Sequence, residues 1–212
     1  MSFKLPKVYP ITDRSISSLT HAEQVKRLIT GGATFIQLRE KTDAPRAFFE
    51  DAVAALRLAR AAGVTLLIND RVDIALALGA DGVHLGQTDL PVIAARKLLG
   101  REAIIGYSTH NIDQVESALD LPIDYLAFGP IFETGSKQNP DPVVGLEAIR
   151  KAKSIVNDLP LVAIGGIRRS NLLEVLSAGA DSAAIISEIL ATPENIPKNL
   201  QELIQVTNDQ PG

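Results

Sequence analysis

The sequence predicts a single (β/α)8 barrel, and three observations point to it. Eight short apolar or β-branched runs alternate with eight Ala- and Leu-rich segments of helical period, the order expected of a parallel sheet wrapped in helices. A Gly-containing junction recurs where helix hands over to strand, as Gly31-Gly32-Ala33-Thr34, Gly79-Ala80-Asp81-Gly82 and Gly179-Ala180-Asp181-Ser182. No linker or low-complexity segment interrupts the 212 residues, so one domain spans 1–212, near the compact end of the fold's size range. An open doubly wound sheet is the rival, but no Gly-rich dinucleotide fingerprint follows the first strand.

The elements follow in order. Val8-Tyr9-Pro10-Ile11-Thr12 reads as the first strand and His21 to Thr30 as its helix. Thr34 to Arg39 is the second strand, followed by a helix over Pro45 to Ala62. The third strand, Thr65 to Ile68, leads to a helix over Val72 to Leu78 that closes on Gly79, where glycine suits the left-handed position ending a helix. Gly82 to Leu85 and Ala103 to Tyr107 are strands four and five, with helices over Pro91 to Leu99 and Ile112 to Leu119. Strand six, Tyr125 to Phe128, precedes the Pro-rich Gln138-Asn139-Pro140-Asp141-Pro142, a long loop where a mobile flap can sit. Helices over Leu146 to Val156 and Asn171 to Ser177 flank strand seven, Leu161 to Ile164. Strand eight, Ser182 to Ile186, and a helix over Ile196 to Val206 close the chain.

Composition narrows the function. A formal charge of −4 argues against a nucleic-acid partner, which would call for a basic face. With no cysteine there is no disulfide framework, thiolate metal site or cysteine nucleophile. The N-terminal stretch lacks a signal-peptide core and no run is long enough for a membrane span. A soluble cytoplasmic protein with small-molecule partners is expected; the sequence leaves open whether it is a homo-oligomer.

In such a barrel the site lies at the C-terminal ends of the strands. Asn69-Asp70 ends strand three, and Gln87 and Asp89 follow strand four. Neighbouring parallel strands end on the same side, so Asp70 and Asp89 are expected to emerge side by side, where two carboxylates can hold Mg2+. Either Asp can instead cap the following helix. Gln37, Arg39 and Lys41 alternate and project to one face; salt bridges with Glu40 or Asp13 are the structural alternative to an anion site. Ser108-Thr109-His110 follows strand five, and Thr134-Gly135-Ser136-Lys137 after strand six suits phosphoryl oxygens. Gly165-Gly166 and Ser187, after strands seven and eight, match the usual barrel phosphate site.

Two carboxylates and one Mg2+ sum to about zero. Arg39, Lys41 and Lys137 then match a diphosphate ester, and the neutral site after strands seven and eight suits a second, monophosphorylated ligand. The pattern is that of a transferase from which diphosphate leaves. Among the histidines, His21 is expected on the surface of its helix and His84 as a packed, hydrogen-bonded side chain. His110 stands at the rim as a proton donor or acceptor, or as a helix-start residue.

From about Tyr9 to Leu190 the chain resembles the thiamine-phosphate synthase (thiamine-phosphate pyrophosphorylase) family. The resemblance rests on Gly31-Gly32-Ala33 with Gln37-Leu38-Arg39-Glu40-Lys41, Ile68-Asn69-Asp70-Arg71 and Ala80 to Asp89. It rests further on Gly106-Tyr107-Ser108-Thr109-His110, Gly129 to Lys137 and Ala163-Ile164-Gly165-Gly166-Ile167. It implies that (4-amino-2-methyl-5-pyrimidinyl)methyl diphosphate joins a thiazole or carboxythiazole ethyl phosphate, giving thiamine phosphate and diphosphate. By resemblance the pyrimidine diphosphate is held by Gln37, Leu38, Arg39, Glu40, Lys41, Asn69, Ser108 and Lys137, and Mg2+ by Asp70 and Asp89. The thiazole phosphate falls to Thr134, Gly135, Ser136, Gly166, Ile186 and Ser187, and Arg39, Lys41, Lys137 and Ser108 are the residues of catalysis. Ser136, Glu133 and Tyr107 depart from the residues common in the family, here Thr, Pro and a smaller apolar side chain.

The expected mechanism is Mg2+-assisted, dissociative loss of diphosphate followed by attack of the thiazole nitrogen, with no protein nucleophile. Two alternatives stand beside it. One is a thiazole tautomerase of the same superfamily with His110 as proton shuttle; the other is a barrel that only binds thiazole phosphate as a regulator.

Overall fold

A computed structural model describes residues 5–42, 44–135 and 141–209. Eight strands form one closed, all-parallel barrel in chain order: β1 (Val8–Thr12), β2 (Phe35–Leu38), β3 (Thr65–Asn69), β4 (Gly82–Leu85), β5 (Ile104–Thr109), β6 (Tyr125–Phe128), β7 (Leu161–Ile164) and β8 (Ser182–Ile185). β8 closes against β1 through Val8↔Ala183 and Tyr9↔Ala184. Eight helices stand where the periodicity expects them: α2 (His21–Thr30), α3 (Pro45–Ala61), α4 (Val72–Leu78), α5 (Val92–Leu99), α6 (Ile112–Ala118), α7 (Gly145–Val156), α8 (Leu172–Ser177) and α10 (Ile196–Asn208).

The strict eight-and-eight alternation needs a correction. Two four-residue helices are added, α1 (Arg14–Ser17) after β1 and α9 (Ser187–Leu190) after β8, with a 3-10 turn at Pro193–Asn195. Four residues carry no readable helical period, so sequence pattern misses them. Asp13 starts α1 by accepting from the Ser15 N–H at 2.9 Å. None of the described helices is long and apolar enough to cross a membrane.

Both faces of the strands are buried, which is why they read as continuous apolar runs. Outward side chains such as Ile36, Leu38, Leu66, Ile68, Leu126 and Phe128 pack beneath the helices. Inward ones, Tyr9, Ile11, Phe35, Leu67, Tyr125, Ala127, Val162 and Ala184, fill the barrel. At the N-terminal end the junction aspartates tie neighbouring strands together. Asp81 accepts from the Leu66 N–H at 2.7 Å, Asp124 from Ile105 at 2.7 Å and Asp181 from Leu161 at 2.8 Å. The aspartate that precedes β4, β6 and β8 is therefore a structural tie at the end opposite the site.

His21 also needs a correction, for it is fully buried rather than on the surface of its helix. A capping box at Thr20 and Glu23 turns the start of α2 so that the imidazole points inward, edge-on to Phe48.

The interior ring stack of Tyr9, Phe35 and Tyr125 meets at near-right angles, with Tyr9 and Phe35 centroids 4.7 Å apart. Tyr125 reaches the axis only because its neighbour on β5 is Gly106, where a Cβ would fall inside the Tyr125 ring. Gly106→Ala is therefore expected to lose about 3 kcal/mol or more, the upper range of overpacking costs. Urea denaturation checks it, and a loss below about 1 kcal/mol would contradict the packing argument.

Candidate active site

A cavity of about 420 Å3 opens at the C-terminal mouth of the barrel. A column of hydrogen bonds builds its floor. Gln37 Nε2 donates to the Tyr9 hydroxyl at 2.7 Å, and the Tyr9 and Tyr125 hydroxyls meet at 2.9 Å. Tyr125 lies 2.8 Å from His84 Nδ1, and His84 Nε2 lies 2.8 Å from Ser108 Oγ. Burial pushes both tyrosine hydroxyls well above their ordinary pKa, so both stay protonated. His84 is packed and hydrogen-bonded as expected, and it also lines the cavity.

One wall is charged. Asp70 ends β3 with φ 61°, a left-handed conformation uncommon for a side-chain-bearing residue. Neither Asp70 nor Asp89 caps a helix: α4 begins after Arg71 and α5 after Pro91, neither with a side-chain cap. Instead the two carboxylates face one another. Burial raises the Asp89 carboxyl above its ordinary pKa, partly offset by the Gly86 N–H, and Asp70 raises it further. Lys41 Nζ forms an ion pair with Asp70, and Arg39 with Asp13. The Arg39 pair corrects the charge count made from sequence, because Asp13 offsets one of the three cations assigned to the diphosphate. Asp13 is the structural alternative made real, held by Ser15 Oγ at 2.5 Å.

Among the described residues no cluster of three or more His, Cys, Asp or Glu side chains could hold a metal. The Asp70–Asp89 pair nonetheless fits Mg2+, which commonly takes one or two carboxylates and completes its shell with water and substrate phosphate oxygens. The Lys41 ammonium on Asp70 is itself a stand-in cation at that position.

The lining after β7 and β8 is neutral and made largely of backbone, while Asp141 lines the cavity beside His110. Gly165 and Gly166 have φ of 102° and 63°, and a Cβ on Gly165 would lie 2.5 Å from Pro130 Cα. Only glycine lets this turn run so close to the loop after β6. Ile186 and Ser187, at the start of α9, line the same side, as does Thr134.

Of the residues expected from sequence, Gln37, Arg39, Lys41, Asn69, Asp70, Asp89, Ser108, Thr134, Gly166, Ile186 and Ser187 line this one cavity. Leu38 does not: its side chain packs outward between barrel and helices. Glu40 turns back toward His21, 3.2 Å away, rather than into the cavity. Gly135 is exposed, and Ser136, Lys137 and residues 138–140 of the expected flap lie outside the described residues. His110 lines the cavity and is not the cap of α6, a role taken by Asn111. Its Nδ1 donates to the Gly129 carbonyl at 2.7 Å and lies 3.5 Å from Asp141 Oδ2. Tyr9 and Tyr125 carry no site signal in the sequence because apolar periodicity assigns them to the core, and Gln114 reads as one more polar residue of its helix.

A family model described as thiamine monophosphate synthase matches residues 8–189. The thiamine-phosphate synthase of Koribacter versatilis is 44% identical over 210 residues, 96% of each chain. That of Chloroflexus aurantiacus is 40% identical over 207 residues, 96% of this chain and 95% of its own. The structure of thiamine phosphate pyrophosphorylase from Pyrococcus furiosus is 36% identical and superposes with a TM-score of 0.85 over 96% of both chains.

If the carboxylate pair binds a divalent cation, adding Mg2+ will raise the melting temperature by mass action. Asp89→Asn, which keeps an acceptor for the Gly86 N–H, is expected to abolish that rise. An equal rise in both proteins by calorimetry would remove the metal from this position.

Proposed function

The chain belongs to the thiamine monophosphate synthase family and is an enzyme of that family, and we propose that it joins a pyrimidinylmethyl diphosphate to a thiazole ethyl phosphate. The products are thiamine phosphate and diphosphate. One observation carries this reading: a single cavity has a charged wall with Arg39, Lys41 and two apposed carboxylates, and an opposite neutral wall of glycine backbone and Ser187. Two ligands of unequal phosphate charge fit such a cavity, whereas a one-substrate isomerase needs only the neutral wall.

In the proposed reaction Asp70 and Asp89 would hold Mg2+, which would neutralise charge on the leaving diphosphate. Arg39 and Lys41 stabilise the same charge as the methylene C–O bond breaks and its electron pair goes to diphosphate. Gln37, Asn69, His84 and Ser108 line the end of the cavity where the aminopyrimidine ring lies, and its electron-rich π-system carries the cation left behind. Gly166 and Ser187 orient the thiazole phosphate so that the ring nitrogen donates its lone pair to the methylene. No proton moves in either step. Lys137, Ser136 and Gly135 extend the phosphate contacts in this proposal, Leu38 contributes backbone only, and the small phosphorylated substrates are its partners.

Two substitutions separate this reaction from tautomerisation. Arg39→Ala is expected to lower turnover about 10²- to 10³-fold, the scale of one lost transition-state donor. His110→Ala should cost less than about tenfold, below the usual contribution of general acid–base catalysis. The measurement is steady-state formation of thiamine phosphate from both substrates. Loss of all activity in His110→Ala with a silent Arg39→Ala would replace synthase with proton transfer.

A further inference from the structure

We infer that His21 is a positioning residue that holds the Arg39–Thr42 segment in its diphosphate-binding shape, an inference that rests on the reading of that segment given above. The side chain is fully buried, and the proposed reaction makes no use of it. His21 Nε2 lies 3.2 Å from Glu40 Oε2 and Nδ1 lies 2.7 Å from Thr12 Oγ1. A carboxylate can only accept, so Nε2 carries the proton and the Thr12 hydroxyl donates to the Nδ1 lone pair.

The ring of contacts then closes on the segment itself. Thr12 Oγ1 accepts from the Arg39 N–H at 3.3 Å. Glu40 Oε1 accepts from the Lys41 and Thr42 N–H groups at 2.7 Å each and from the Thr42 hydroxyl at 2.9 Å. One imidazole thus links the backbone N–H groups of Arg39, Lys41 and Thr42, the stretch carrying both described cations of the charged wall.

Neighbouring groups keep this arrangement in place. Asp51 of α3 accepts from the His21 and Ala22 N–H groups at 2.6 and 3.1 Å. Burial lowers the imidazole pKa against the pull of Asp51 and Glu40, which favours the neutral ring. For Glu40, hydrogen bonds from Thr42 and His21 outweigh the upward push of burial, so it stays ionised. A charged imidazole would force the Thr12 hydroxyl to turn to the Gln37 carbonyl, 3.3 Å away. The Glu40 carboxylate therefore acts through backbone rather than on substrate.

The test compares His21→Phe, Glu40→Ala and Glu40→Gln with Ile149→Val, a buried truncation on α7 outside this ring. KM for each substrate, melting temperature and amide proton resonances are measured. His21→Phe and Glu40→Ala should raise KM for the pyrimidine diphosphate about tenfold, less than the roughly 10²-fold that a 1 Å misplacement can cost, and leave KM for the thiazole phosphate unmoved. Glu40→Gln, which still accepts from the Lys41 and Thr42 amides, should recover most of that loss. The Lys41 and Thr42 amide protons should move upfield in the first two variants.

A matching KM rise in Ile149→Val at equal loss of melting temperature would overturn the inference, as would equal changes in both KM values. If His21→Phe does not fold, Glu40→Ala decides by the same readouts. If the wild type forms no thiamine phosphate, the proposed reaction fails. The amide resonances then decide about His21: displacement of the Lys41 and Thr42 signals upholds the ring, and unmoved signals overturn it.

Discussion

Everything at the site depends on one constraint: eight parallel strands closed into a ring send every second side chain to the axis, and those side chains must fill it. Tyr9, Phe35, Leu67 and Tyr125 do so in the lower barrel. Above them stand Ala127, Val162 and Ala184, too small to meet across the axis, and these three line the cavity. The position of the site is thus a volume effect before it is a chemical one. The tyrosine hydroxyls cannot be buried without partners, and they find them in Gln37 and His84, which continues to Ser108. The core is therefore hydrogen-bonded directly to the floor of the site.

The rim divides by charge for an equally simple reason. Parallel neighbours β2, β3 and β4 end together, so Arg39, Lys41, Asp70 and Asp89 share one wall, and each cation takes an acidic partner there. Half-exposed Lys41 is the more loosely held, while Arg39 and Asp13 are largely buried. In the proposed reaction Lys41 would exchange Asp70 for the diphosphate, leaving that carboxylate available with Asp89 to hold the metal, whereas Asp13 keeps Arg39 aimed. The wall formed by β7 and β8 contributes glycine backbone and hydroxyl, where the proposed reaction seats the less charged phosphate.

The fold was legible because its periodicities are strong. All eight strands and the eight helices longer than four residues read correctly from apolar runs and helical spacing, with ends displaced by two residues or fewer. The short helices α1 and α9 carry no such period. The cavity lining was legible where chemistry-bearing residues lie at or just after the end of a strand, as with Asp70, Ser108 and Gly166. It was illegible where a side chain's role depends on a partner distant in sequence. His21 sits on an amphipathic helix and looks solvent-facing until Glu40 and Thr12 are brought to it. Leu38 and Glu40 belong to a motif that resembles a substrate loop, yet one faces the helices and the other braces the backbone.

In the proposed reaction the two phosphate groups occupy opposite walls of one cavity. A crystal structure with thiamine phosphate, diphosphate and Mg2+ tests it most directly. Diphosphate is expected against Arg39 and Lys41, the metal on Asp70 and Asp89, and the monophosphate on Gly166 and Ser187. Diphosphate seated on the Gly166 and Ser187 wall, or metal bound away from the carboxylate pair, would contradict it.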